Sequence, residues 1–301
     1  MNLPNPLRAL WNTPGPWFGD GPMGTELLRM GWSPKEHGPS PSWNITHPDL
    51  VRAVHAQWAA FGAQIHRTNT FTLLPTLAFG SQDEQFEAWK LVVRGIELVR
   101  EAARGGKVLV ALGPVDPNSS PPQGRAPSRL QEILSQADGI LLETWSHPHV
   151  ADWANWIRPK PEIPLILSGC FRQRTNQKET IGHPNQDCGF EGEGKSNQIS
   201  FETLGGYSPK QWVAWAERSG ADAVGFNCGW EWSPESVNAL VEELGLLWPG
   251  PIWCFPGPIL PKSDKCSNWE RSMWGGCCGA SMGQMANLRS LCNLECSTKR
   301  L

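Results

Sequence analysis

Charge is scarce in this chain and nearly balanced. Charged residues make up 18% of 301, with Lys plus Arg at 26, Asp plus Glu at 29 and a formal net charge of −3. That excludes a disordered polyelectrolyte, and with no Lys/Arg-rich block it argues against a nucleic-acid binder. No run approaches the roughly 18 consecutive apolar residues of a membrane helix, so no membrane span is expected. The N-terminus, MNLPNPLRALWNTPGPW, carries prolines where an export signal needs an apolar stretch, so a cytoplasmic protein is expected. A phosphate-cradling glycine loop, a G-x-S-x-G elbow and a paired C-x-x-C pattern are all missing. Tyrosine is nearly absent too, 1 against 17 Trp, so one Trp near a site is weak evidence of a role there.

What is present is an alternation of short apolar runs with longer helical stretches. Strands are expected at 17–19, 64–68, 107–112 (KVLVAL), 139–142 (GILL), 164–167 (PLIL), 223–226, 252–255 and 272–274. Helices are expected at 47–61, 86–104, 128–136, 150–157, 208–219, 233–244 and 282–294, with Ser208-Pro209 and Ser233-Pro234 as starts. About eight strand–helix units in one domain, 1–301, predict a single (β/α)8 barrel of the TIM type, with a doubly wound open sheet as the alternative. Residues 1–15 read as a tail and 172–206 as a long polar loop. The stretch from 256 to 271 is too short for a full crossover helix, so the last unit is expected to be irregular.

Barrel chemistry sits where strands end at their C-terminal side. Those ends carry Asp20, Thr68-Asn69-Thr70, Gly113-Pro114, Glu143-Thr144, Ser168, Asn227-Cys228 and Gly276-Cys277-Cys278. The thiols are the sharpest feature. Cys277 and Cys278 are adjacent and set among glycines, which free the backbone so that both sulfurs reach one point. Cys228, from another strand end, offers a third. Three protein ligands on zinc leave one position open, as in catalytic sites. The competing reading is that Cys-Cys is a pair of small buried hydrophobes. Cys170 and Cys254 follow or end strands of their own and compete for a ligand position. Cys188, Cys266, Cys292 and Cys296 have no metal spacing. His147 and His149, flanking Pro148, are a weak alternative.

Six segments, in order, carry a resemblance: DGPMGTEL (20–27), GAQIHRTNTF (62–71), ALGPVDP (111–117), GILLETW (139–145), GFNCG (225–229) and GGCCGA (275–280). Together they resemble the homocysteine S-methyltransferase family. The resemblance implies a (β/α)8 barrel holding zinc on Cys228, Cys277 and Cys278, with homocysteine bound through its sulfur to that zinc. It implies that Asp20 and Glu143 hold the amino acid end, and that Gly21, Thr68, Asn69, Gly113 and Asn227 line the pocket. Two departures stand out: Ala280 replaces the usual Thr, and Ser272-Met273-Trp274 replaces an aliphatic strand. The expected partners are small molecules, homocysteine and a cationic methyl donor. S-methylmethionine or S-adenosylmethionine is favoured, and betaine is the runner-up. A zinc hydrolase and a non-catalytic zinc- or homocysteine-binding relative are the rival classes.

The chemistry is coherent on physical grounds. A thiol attacks a methyl group as thiolate, yet free thiols have pKa values of about 8.5. Zinc coordination deprotonates the thiol outright. Cationic donors are held by aromatic faces, and Trp43, Trp145 and Trp230 are the candidates, close to the strand ends in sequence.

Overall fold

A computed structural model describes residues 5–174, 199–229, 232–261 and 268–298, with side chains to 291. Its frame is a ring of eight parallel strands: β1 (Trp17–Phe18), β2 (Ile65–Arg67), β3 (Lys107–Leu112), β4 (Gly139–Leu142), β5 (Leu165–Gly169), β8 (Ala223–Cys228), β9 (Ile252–Pro256) and β10 (Ser272–Trp274). Each pairs with the next around the ring, and β10 lies between β9 and β1. The remaining edges, β1 and β2, meet at one parallel bridge between Gly19 and Ile65. Two backbone hydrogen bonds span that seam, Gln64 N–H to Phe18 O at 2.7 Å and Asp20 N–H to Ile65 O at 3.0 Å.

The strands are apolar on both faces, as parallel strands covered by helices must be. Side chains alternate between them. One set points inward: Trp17, Ile65, Leu109, Leu141, Ile166, Ala223, Trp253 and Met273, one from each strand, fill the barrel. The other set packs against the helices, with Trp58, Trp153, Trp212, Trp269 and Trp274 fully buried. Much of the tryptophan content is this packing material.

The strands 107–112, 139–142 and 272–274 and the helix Val150–Ile157 have the expected bounds. Other helices differ at their ends. The helix expected from 86 starts at Gln82, because Ser81 and Glu84 form a reciprocal capping box. Ser208 and Gln211 do the same for Pro209–Arg218.

Two expectations are corrected. The tail is structured: Asn5 caps a helix over Pro6–Trp11, with Pro6 in its first turn, and Leu7 joins the core inside the barrel. The polar loop begins and ends in strand. β6 (Phe171–Gln173) and β7 (Phe201–Thr203) pair antiparallel, anchored by the buried Phe171 and Phe201. The part between 175 and 198 lies outside the described residues. Among the described residues of the short last unit, a 3-10 turn, Trp269–Arg271, leads into β10.

Candidate active site

Three thiols converge where β8 ends and where the chain leaves β10. Sγ of Cys228 lies 2.8 Å from that of Cys277 and 3.8 Å from that of Cys278, and the latter two are 3.9 Å apart. The turn that brings them together depends on small residues. A Cβ on Gly275 would stand 2.2 Å from the Phe255 ring. Cys228 itself has φ +62°, a left-handed conformation uncommon for a residue with a side chain. A tetrahedral zinc with thiolates at about 2.3 Å sets neighbouring sulfurs about 3.8 Å apart. Two edges of the triangle already have that length, and the third opens by about 1 Å to reach it. The donor set therefore fits zinc. Hydrogen bonding from its two neighbours holds the Cys278 thiol low, and Cys228 is pushed up.

The competing thiols stand apart from this cluster. Among the described residues, Cys170 and Cys254 belong to no group of converging ligand atoms. Cys170 is buried and pushed up to about 11 by that burial. Cys188 and Cys266, and the side chains of Cys292 and Cys296, lie outside the described residues. His149 faces Asp152 at 3.4 Å on the surface.

Asn227 is the hub beside the thiols. Its fully buried side chain accepts from Thr144 N–H (3.0 Å) and from Ser168 Oγ (2.7 Å), and donates to Thr144 Oγ1 (2.8 Å). Thr144 has φ +70°. A β-branched residue there is a genuine outlier, held by its surroundings. This clamp ties the end of β4, and with it Glu143, to the end of β8.

Asp20 and Glu143 are brought together, but by a residue the sequence reading passed over. Arg67, at the end of β2, lies between them. Its Nε–H donates to Asp20 Oδ1 at 2.8 Å and its Nη1 to Glu143 Oε1 at 2.8 Å. Nη2 donates to the carbonyls of Gly21 (3.0 Å) and Gly276 (2.8 Å). Its backbone N–H takes the second Asp20 oxygen, Oδ2, at 2.7 Å. The guanidinium lies over the Phe255 ring at 4.6 Å, and that ring stacks on Trp253 at 3.8 Å. Arg67 is thus a plate laid across the top of the barrel core. Burial pushes Glu143 up to about 7 while Arg67 opposes the shift. Behind Asp20, His55 is fully buried and pushed down to about 3 by that burial, so it is neutral at pH 7.

Above the plate is a cavity of about 260 Å³. Arg67, Thr68, Asn69, Glu143, Asn227 and all three thiols line it. Asp20, Gly21 and Gly113 do not: Asp20 and Gly21 act from behind through Arg67, and Gly113 N–H bonds the Phe71 carbonyl at 2.7 Å. Asn69 is fixed by Ser40 and Asn44. The aromatic wall is not the expected one. Trp43 is buried and stacks on His47 at 4.3 Å, and Trp145 is buried against Trp153. Neither lines the cavity, and Trp230 lies outside the described residues. Trp32 and Phe71 line it instead, with Pro22 and Met23. They sit in Gly- and Pro-rich or polar connections, where no apolar period marks them.

The family model described as homocysteine S-methyltransferase matches residues 17–292. The chain belongs to that family. Among its relatives, the S-methylmethionine–homocysteine S-methyltransferase of Pongo abelii is 24% identical over 217 residues, 68% of this chain and 50% of that protein. The chain thus spans about half the length of that curated relative. The homocysteine S-methyltransferase of Escherichia coli (strain K12) is 33% identical over 104 residues, 34% of this chain and 33% of that one. The crystal structure of the homocysteine methyltransferase MmuM from Escherichia coli, in its metallated form, has a TM-score of 0.67 at 20% identity. It covers 95% of this chain and 99% of that one. At that identity the likeness is one of fold: this member of the homocysteine S-methyltransferase family is a TIM-type barrel. Among the described residues, no helix is long and apolar enough to cross a membrane.

Proposed function

We propose that this chain transfers a methyl group from a cationic donor to the sulfur of L-homocysteine, giving methionine, with zinc held by Cys228, Cys277 and Cys278. The observation that carries the reading is that the three thiols open onto the same cavity as the Glu143–Arg67 pair. One end of that cavity suits a thiol and the other an amino acid head group. Bound zinc supplies the charge that turns a substrate thiol into thiolate at neutral pH. The chain supplies the rest. Glu143 Oε1 is bound by Arg67 and no described residue is bonded to Oε2, which leaves a carboxylate oxygen for the ammonium group. Asn227 holds the β4 and β8 ends at fixed separation, which orients sulfur against methyl carbon.

The donor sits toward Trp32 and Phe71. Attack by thiolate on a sulfonium methyl turns an anion and a cation into two neutral thioethers. A wall of Pro22, Met23, Trp32 and Phe71 gives that event an apolar side. S-methylmethionine and S-adenosylmethionine are the favoured donors, the first supported by the name of the Pongo abelii relative. Betaine is the second choice.

The test is methylation of homocysteine by purified, zinc-loaded protein with each donor in turn. We expect methionine formation with a sulfonium donor, and loss of both zinc and activity in Cys277→Ser and Cys278→Ser. Full metal content in both variants refutes the ligand assignment. Homocysteine binding with no turnover on any donor makes the chain a non-catalytic relative.

A further inference from the structure

Arg67 has five side-chain N–H groups, and four are taken. Nε gives one to Asp20, Nη2 gives two to the carbonyls of Gly21 and Gly276, and Nη1 gives one to Glu143. The second N–H of Nη1 has no partner among the described residues. The guanidinium is pressed against Phe255 below and lines the cavity above. It is only 7% exposed, so little bulk water reaches it. A buried charged donor without a partner is costly, and the fork geometry of this group suits a carboxylate.

Resting on the reading of an α-amino acid thiol as acceptor, we propose that Arg67 binds the acceptor's carboxylate through that fifth N–H. The adjoining Glu143 binds its ammonium. The two receptor groups are 2.8 Å apart, as neighbouring as the ammonium and carboxylate of one α-amino acid. The charges then alternate from behind the plate into the cavity: Asp20 negative, Arg67 positive, substrate carboxylate negative, substrate ammonium positive, Glu143 negative. Without Arg67 the incoming carboxylate meets two carboxylates and three thiols that share one metal-binding cluster. Asp20, whose two oxygens are both spent on Arg67, is the group that holds the plate in place. The site therefore selects zwitterionic thiols rather than thiols in general.

The experiment compares three acceptors on the zinc-loaded full chain by equilibrium titration: homocysteine, 3-aminopropane-1-thiol, which lacks the carboxylate, and 4-mercaptobutyrate, which lacks the ammonium. In the native protein the carboxylate-free thiol is expected to bind about 10- to 100-fold more weakly than homocysteine, the worth of one charge-assisted hydrogen bond. Arg67→Met is expected to weaken homocysteine by a similar factor while leaving 3-aminopropane-1-thiol nearly unchanged, so that the preference disappears. Arg67→Lys keeps the positive charge but not the fork. It serves where Arg67→Met does not fold, and is expected to retain part of the preference. A merely structural Arg67 weakens both thiols alike. An equal loss for both thiols overturns the inference, and so does a native protein that does not prefer the carboxylate. Either result leaves the methyl transfer reading standing. Failure of all three thiols to bind overturns both.

Discussion

Replacing Asn227 by Ala removes three short hydrogen bonds at once, to Thr144 N–H, Thr144 Oγ1 and Ser168 Oγ, together with longer amide contacts to the sulfurs of Cys228 and Cys277. Each short bond is worth about 0.5–1.5 kcal/mol net, about 1.5–4.5 kcal/mol for the three together. Thr144 loses what holds it at φ +70°, a conformation costing about 1–3 kcal/mol. Relaxation of Thr144 recovers part of that, so the expected destabilisation is about 2–4 kcal/mol. Equilibrium urea unfolding measures it as a shift of midpoint at constant slope. Asn227→Asp keeps both accepting interactions and is expected to lose less stability. The functional cost follows a different route. Glu143 precedes Thr144, so freeing the turn moves the carboxylate, and the homocysteine KM is expected to rise in Asn227→Ala. A variant within about 0.5 kcal/mol of the native protein, the range of an ordinary surface substitution, with unchanged KM, refutes the clamp.

Glu143, pushed up to about 7 by its burial, takes up a proton as pH falls through that value and loses its charge for the ammonium group. The homocysteine KM is therefore expected to rise below about pH 7. Glu143→Gln is expected to show a KM about 10-fold or more higher at pH 8, the loss of a charge-assisted bond, and no acid limb there, with zinc content intact; a KM that tracks the native one across pH assigns Glu143 to structure alone. Trp32→Leu and Phe71→Leu keep apolar bulk but remove the π face, and are expected to raise the donor KM several-fold while sparing homocysteine. Trp43→Leu and Trp145→Leu, by contrast, are expected to lower stability and leave the donor KM alone. Native donor kinetics in both Trp32→Leu and Phe71→Leu move donor recognition off this wall.

What could be read in advance follows the strength of the local signal. KVLVAL and GILL are continuous apolar runs with polar flanks, and their bounds match the strands. The thiol cluster was legible because Cys277-Cys278 sits among glycines and Cys228 ends a strand. Arg67 was not. In IHR it reads as the last residue of a strand, and only the closing of the ring puts it beside Asp20, 47 residues away, and Glu143, 76 residues away. The helix over Pro6–Trp11 carried a signal, an Asn cap followed by proline, which the abundance of prolines obscured. The hairpin of β6 and β7 hid in polar sequence because two buried phenylalanines, rather than a period, hold it.

The seam between β1 and β2 gives the ion pair of Arg67 and Asp20 a second consequence. The ring is closed there by one bridge and two backbone hydrogen bonds, and the next link above them is the contact of Arg67 with Asp20, whose side chains project from the two sides of that gap. The substrate floor is also the clasp of the barrel. Amide exchange at Asp20 and Gln64 therefore reports on occupancy as well as on fold: anything that grips Arg67 from above slows the opening of the ring, and anything that loosens the ring dissolves the site before the rest of the barrel melts.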